Sequence, residues 1–296
     1  MISRDLDKRP RIRGILEGGG MKAIHTGDGV FITDTEDFSP ALTFSCGQCF
    51  RFTETDGAWR GAAFGRDLTV TETPGGVLLS CPESDFYGVW HDYFDLGRDY
   101  AAARERVAVN DFMRAAAGFG RGIRILRQDF WEALCSFIIS QNNNIPRIRG
   151  VITRLCAYCA DADLPPRQAG AAFPNAATVL RLSVDELRGL GAGYRAEYIL
   201  DAARAVENGA LSGLSEMTVD GARQALMRVR GVGVKVADCV LLYGLGRMDA
   251  FPLDVWMKRA LSERFAENFD PRVFGGDAGI AQQYIFHYIR YLHGRA

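Results

Sequence analysis

Lysine is scarce in this chain. Only four of its 35 basic residues are lysine, at positions 8, 22, 235 and 258, and the rest are arginine. Long apolar runs are also missing: none approaches the ~18 residues that a membrane-spanning helix needs. The stretch from Met1 to Gly20 is charged and glycine-rich, without the apolar segment of a secretory signal. The expectation is therefore a cytoplasmic protein with no membrane attachment, in which residues 1–20 form a disordered arm or an overlong start. Seven cysteines, an odd number, argue against a disulfide framework. Cys46/Cys49 and Cys156/Cys159 have zinc-like spacing, but one pair sits in a strand-like segment and the other near a helix end among apolar neighbours. No cysteine follows Cys239, which excludes a C-terminal four-cysteine cluster, and the four histidines (25, 91, 287, 293) have no ligand spacing. No metal or cofactor is expected.

What is present is an ordinary soluble composition, 48% hydrophobic and 24% charged, in 296 residues. The net charge of −1 hides an asymmetry. Residues 1–119 carry 13 basic and 18 acidic side chains, and residues 120–296 carry 22 and 18. A polyanion would favour the second part. The first 80 residues read as short strands (Phe44 to Phe52, Ala58 to Phe64, Asp67 to Glu72, Val77 to Cys81) separated by Asp56-Gly57, Gly65 and Pro74-Gly75-Gly76. Helical patterning starts after about residue 98. Asp129 with Glu132, and Ser183 with Glu186, have capping-box spacing, and Pro146 suits a first helical turn. Further helices are expected from Arg195 to Glu207, Thr218 to Val229 and Val234 to Tyr243. The fold class is α+β: an antiparallel β domain over residues 21–118, then a helical body over 119–296.

The chemistry concentrates between two helical patterns, in Arg230-Gly231-Val232-Gly233-Val234-Lys235, with Asp254 following after Pro252. Gly231 and Gly233 allow a tight turn and close approach, and amides at the start of the second helix can face a phosphate. The second Gly-Lys-hydroxyl set of a P-loop is missing, as is the third glycine of a dinucleotide fingerprint. Asp254 is placed to cap the helix starting near Val255 and to present a carboxylate toward Lys235. Unlike arginine, lysine can lose a proton and act as a nucleophile.

Five segments in order resemble the helix-hairpin-helix DNA glycosylases, specifically the 8-oxoguanine DNA glycosylase/lyases. They are Cys46-Gly47-Gln48-Cys49-Phe50-Arg51-Phe52; Arg127-Gln128-Asp129 to Ser140-Gln141-Asn142-Asn143-Asn144-Ile145; Leu190-Gly191 to Tyr194-Arg195-Ala196; Gly231 to Asp254; and Ala281-Gln282 to Phe286. The resemblance implies that Lys235 attacks C1′ of a flipped nucleotide to give a Schiff base, that Asp254 stabilises the charge developing on the sugar, and that β-elimination nicks the strand. It implies a base pocket in which the Gly47 carbonyl accepts the N7–H of 8-oxoguanine, Gln282 reads the Watson–Crick edge, and Phe286 and Cys239 sandwich the ring. Asn142, Arg147, Tyr194 and Arg195 match the reader of the estranged cytosine, with Gly231 and Gly233 at the DNA backbone. Trp256 stands where many members have a phosphate-contacting histidine, and Phe52 replaces a more usual tryptophan. The implied partner is double-stranded DNA containing oxidised guanine, bound by a monomer. Two other readings stay open at this point: a monofunctional alkylated-base glycosylase, which would not need Lys235, and a non-catalytic DNA-binding hairpin.

Overall fold

A computed structural model describes residues 11–15, 20–163 and 172–294. Among the described residues seven strands form one antiparallel sheet: β1 (Arg11–Ile15), β2 (Lys22–Thr26), β3 (Gly29–Thr33), β4 (Thr53–Thr55), β5 (Ala58–Ala63), β6 (Arg66–Thr73) and β7 (Gly76–Ser80), in the order β1-β2-β3-β7-β6-β5-β4. The register Val30↔Leu79, Val70↔Leu79 and Ile32↔Val77 turns the apolar alternate residues to one face. The expected arm over residues 1–20 is divided. Arg11–Ile15 is a strand paired with β2, while 1–10 and 16–19 lie outside the described residues.

The strand expected over Phe44 to Phe52 is a helix followed by an irregular crossing. Ser39 accepts the Leu42 N–H and Pro40 occupies the first helical turn, so Pro40–Ser45 is helical. The chain then turns at Gly47, whose φ of +84° suits glycine. Its aromatics therefore serve two cores. Phe44 stacks on Phe52 at 4.2 Å under the sheet, while Cys46 and Phe50 belong to the larger helical core.

The two cores do not divide at residue 118. Tyr100–Val107 and Asp111–Phe119 contribute Tyr100, Ala103, Val107, Met113 and Ala116 to the helical core. The second of these helices packs along the C-terminal helix Ala278–Leu292. The sheet core takes in residues up to Leu96, together with Leu126. Among the described residues no helix is long and apolar enough to cross a membrane.

Helix ends follow the sequence signals closely. Asp129 accepts the Glu132 N–H at 2.9 Å to start Phe130–Ile139. The Glu132 side chain leaves the cap and meets Arg51 at 3.1 Å instead, tying the crossing segment to this helix. Ser183 and Glu186 form the complete reciprocal box at Val184–Gly189. Arg195–Glu207 forms over the expected span.

Candidate active site

The glycine turn joins Val219–Leu226 to Val234–Cys239, which widens into a π-helical turn over Val240–Gly244. Arg223 on the first helix donates to Asp238 on the second at 2.6 Å, and Asp238 is buried, so the hairpin is fastened by a largely buried ion pair. Gly231 has φ +82°, and a Cβ there would stand 2.3 Å from the Tyr198 ring. Gly233 is different: its φ is −93° and a Cβ would meet nothing within 4 Å. Gly231 is thus needed by the protein itself, whereas Gly233 opens to the outside.

Lys235, in the first turn of the second helix, points into a cavity of about 840 Å³ that is also lined by Gly47, Asn142, Gly233, Asp254 and Phe286. The Nζ lies 3.5 Å from Ser140 Oγ and 5.1 Å from the centre of the Phe137 ring. Asp254 is the N-cap of Val255–Arg264, its carboxylate accepting the Met257 N–H at 2.8 Å. Burial raises the Asp254 carboxyl above the ordinary aspartate range, against the downward pull of that N–H, Lys235, the Trp256 N–H and Arg290. The cap fixes the carboxylate, and the cavity gives it something to face.

Behind the cavity lies a recess of about 50 Å³, lined among others by Gly47, Lys235, Cys239, Asp254, Gln282 and Phe286. All six residues expected for catalysis and base recognition therefore meet. Burial pushes the Cys239 thiol up to about 11, despite the opposing charge of Lys235, so it is a neutral thiol at pH 7. Gln282 is 4% exposed, and its Oε1 is buried with no hydrogen-bond partner among the described residues. An orphaned acceptor of this kind is costly unless something supplies a donor.

Two residues absent from the expected set hold Gly47 in place. The Gln48 amide donates to the carbonyls of Thr43 (3.0 Å) and Arg124 (2.8 Å), and its oxygen accepts the Leu126 N–H at 2.8 Å. Gln283 donates to the Cys46 carbonyl at 3.0 Å and accepts from Tyr243 Oη at 2.7 Å. Each is adjacent in sequence to a predicted site residue and lies inside a segment that carries the resemblance. Lys258 and Arg290, which also line the cavity, were missed as well. Lys258 could have been flagged as one of the four lysines.

The group expected at the opposite strand is assembled around Asn142. This residue adopts φ +46°, a left-handed conformation that asparagine tolerates better than most residues. Its Nδ2 lies 3.3 Å from Tyr194 Oη, and Tyr194 is 49% exposed. Arg147 is exposed on the first turn of Ile145–Asp163. Arg195 departs from expectation. It is 4% exposed, and its guanidinium donates to the carbonyls of Gln141 and Asn142 while stacking on Tyr194 at 4.4 Å. With its donors used inside the protein, Arg195 shapes the Asn142 turn and presents no free fork to a base in this structure.

With this geometry in hand, the comparisons agree on the family. Residues 30–134 match the N-terminal domain of 8-oxoguanine DNA glycosylase, and residues 135–271 match the HhH-GPD superfamily of base excision DNA repair proteins. N-glycosylase/DNA lyase OGG1 of Arabidopsis thaliana is 31% identical, over 86% of this chain and 78% of its own length. The chain belongs to the 8-oxoguanine DNA glycosylase family. The structure of MBOgg1 with a low-affinity DNA ligand is 38% identical, with a TM-score of 0.84 over 92% of this chain and 99% of its own. The Clostridium acetobutylicum 8-oxoguanine glycosylase/lyase, solved with double-stranded DNA containing cytosine opposite 8-oxoG, is 31% identical. Its TM-score is 0.82 over 92% of this chain and 98% of its own. Two other relatives align over less than half of their own length, 38% and 41%.

Proposed function

We propose that this enzyme is a bifunctional DNA glycosylase/lyase that excises 8-oxoguanine, with a preference for cytosine opposite. The observation that carries the reading is the convergence of Lys235 and Asp254 on one cavity whose inner recess is lined by Gly47, Cys239, Gln282 and Phe286. A base placed in the recess puts its sugar at the lysine. Lys235 in its neutral form attacks C1′, the glycosidic bond breaks, and its electron pair leaves with the base, which takes up a proton. Asp254 offsets the positive charge that develops on the sugar. Loss of the ring C–O bond gives the lysine Schiff base. Removal of a C2′ proton then expels the 3′ phosphate.

Recognition follows from the same walls. The Gly47 carbonyl would accept the N7–H that 8-oxoguanine has and guanine lacks, and Gln282 would find its missing partner on the Watson–Crick edge. The recess as it stands has room for a few water molecules rather than a purine. Half-buried Phe286 is the wall that must yield. On the other strand, Arg147 would read cytosine and Tyr194 would fill the gap, with Arg195 holding the turn that presents Asn142.

The test is borohydride trapping on an 8-oxoguanine:cytosine duplex, with Lys235→Gln alongside. A covalent protein–DNA adduct in the wild type and none in the variant is expected. No adduct from the wild type on that duplex would refute the Schiff-base mechanism and move the assignment to a water-using glycosylase.

A further inference from the structure

Three cations line the main cavity, Lys235, Lys258 and Arg290, against a single carboxylate, Asp254. None of the three makes an ion pair within 4 Å among the described residues, whereas Arg223 and Arg230 of the hairpin and Arg259, next to Lys258, each do. Half of the lysines in a lysine-poor chain are therefore gathered at one cavity. Lys258 sits one turn after Asp254, its N–H bonded to the Asp254 carbonyl at 2.9 Å. Arg290 sits one turn after Phe286 on the C-terminal helix, and its guanidinium lies 5.2 Å from the centre of the Phe286 ring. The two helices pack against each other, so the two cations come from neighbouring supports to one rim. Phenylalanine is a weak cation–π partner and leaves every guanidinium donor unpaired. The arrangement has charge, access and free donors, and lacks only an anion.

We infer that Lys258 and Arg290 form a phosphate subsite that grips the backbone phosphates flanking the extruded nucleotide. The inference rests on the reading of the cavity as a nucleotide-flipping site. A nucleotide that sends its base into the recess and its sugar to Lys235 necessarily draws its two phosphates to the cavity rim. Arg290 supplies a planar fork for one phosphate and Lys258 a point charge for the other. Arg290 has a second consequence: its guanidinium lies over the ring of Phe286, the wall that must yield for the base to enter. Drawing Arg290 onto a phosphate would remove its contact with that ring, so backbone capture and recess opening are coupled through one side chain.

Phosphates made electrically neutral separate this subsite from a general loss of charge. Duplexes with 8-oxoguanine opposite cytosine would carry a methylphosphonate at either phosphate flanking the lesion, with matching duplexes holding a tetrahydrofuran abasic analogue. Wild type, Lys258→Ala, Arg290→Gln and Arg290→Lys would be compared by single-turnover excision on the first set and by affinity on the second. On unmodified duplex Lys258→Ala and Arg290→Gln should each lose about tenfold or more, with Arg290→Lys recovering part of the loss. On the duplex neutralised at the phosphate that each cation grips, that variant and the wild type should converge. Variant losses that are the same size on charged and neutral duplexes overturn the subsite. A wild type that excises nothing from any duplex while its abasic-analogue affinities still show the convergence refutes the excision reading and supports the subsite.

Discussion

Replacing Gly231 with alanine should damage the hairpin severely, and the cost can be worked from two separate causes. The residue sits at φ +82°, where an L-residue pays about 1–2 kcal/mol. Its new methyl would also stand 2.3 Å from Tyr198 Cδ2 and Cγ. That ring cannot simply swing away, because Tyr194 packs edge-on to it at 5.9 Å and Arg230 covers it at 5.7 Å. Forcing a methyl into such a contact costs roughly 1–3 kcal/mol. Together these give a loss of about 2–5 kcal/mol, set against less than about 1 kcal/mol gained by stiffening the unfolded chain. Gly233→Ala is the control, with an ordinary φ and open space. It should unfold within about 0.5 kcal/mol of the wild type, a typical exposed-site effect, while binding DNA more weakly because its methyl occupies the face offered to a phosphate. Urea melts followed by circular dichroism give the stabilities, and duplex titration gives the affinities. Tyr198→Ala in the Gly231→Ala background should relieve the overlap but not the backbone term, so the two changes should be strongly non-additive. A Gly231→Ala protein as stable as Gly233→Ala would refute the reasoning.

Three further outcomes follow from the site. Asp254→Asn keeps a good helix cap and should change stability little, yet excision should fall by about a hundredfold or more if the carboxylate offsets charge in the transition state. Because burial raises the Asp254 pKa, the acid limb of the wild-type rate profile should lie above the ordinary aspartate range and disappear in the variant. The native state holds this proton more tightly than the unfolded chain. Its stabilising contribution is thus complete below the unfolded-state pKa and is lost as pH rises through the folded one; melts of wild type and Asp254→Asn across that window should diverge accordingly. Gln48→Ala strands the Leu126 N–H and leaves two buried carbonyls short of a donor, for a loss of at least about 3 kcal/mol in urea melts. Arg147→Ala should reduce the preference for cytosine opposite the lesion by about tenfold in single-turnover comparisons of the four opposite bases. Equal wild-type rates opposite all four would remove Arg147 from that role.

Helix starts were legible because a cap is a local device. Asp129 and Ser183 announce themselves within four residues, while the helix from Arg195 has no side-chain cap and is marked only by the glycines before it. The Phe44 to Phe52 stretch misled because aromatic spacing looks the same whether the side chains share one sheet face or serve two cores. The start signal Ser39-Pro40 was the better guide. Pairing of β3 with β7 is long-range and has no local mark. At the site, Lys235 and Asp254 stood out through the glycine turn and the proline, while Gln282 and Phe286 were reached only through resemblance. Lys258 had only the scarcity of lysine to mark it, and Arg290 was silent because an unpaired arginine has no sequence signature until a cavity surrounds it.

The placement of Gly47 bears on how finely such a site can discriminate. A single hydrogen bond made to the lesion, and denied to guanine, separates two bases that otherwise fit alike. Such a difference is worth about 1–3 kcal/mol when the rejected partner leaves a buried acceptor facing an acceptor. It is realised only if the carbonyl cannot retreat. Gly47 belongs to a crossing between two cores, and a crossing of that kind would normally be soft. Here the residue before it is held through its carbonyl by Gln283 of the C-terminal helix. The residue after it is held by the backbone of Thr43, Arg124 and Leu126, close to the junction of the cores. Gly47 is thus held through both of its neighbours, while Phe286 opposite is half-buried under the Arg290 guanidinium. On the proposed function, rigidity is needed at the wall that distinguishes the lesion, and movement at the wall that admits it. A Gln283→Ala variant should therefore lose discrimination between 8-oxoguanine and guanine out of proportion to its loss of excision rate, by relaxing the carbonyl rather than the catalytic pair. Equal losses on both measures would place the source of selectivity elsewhere in the recess.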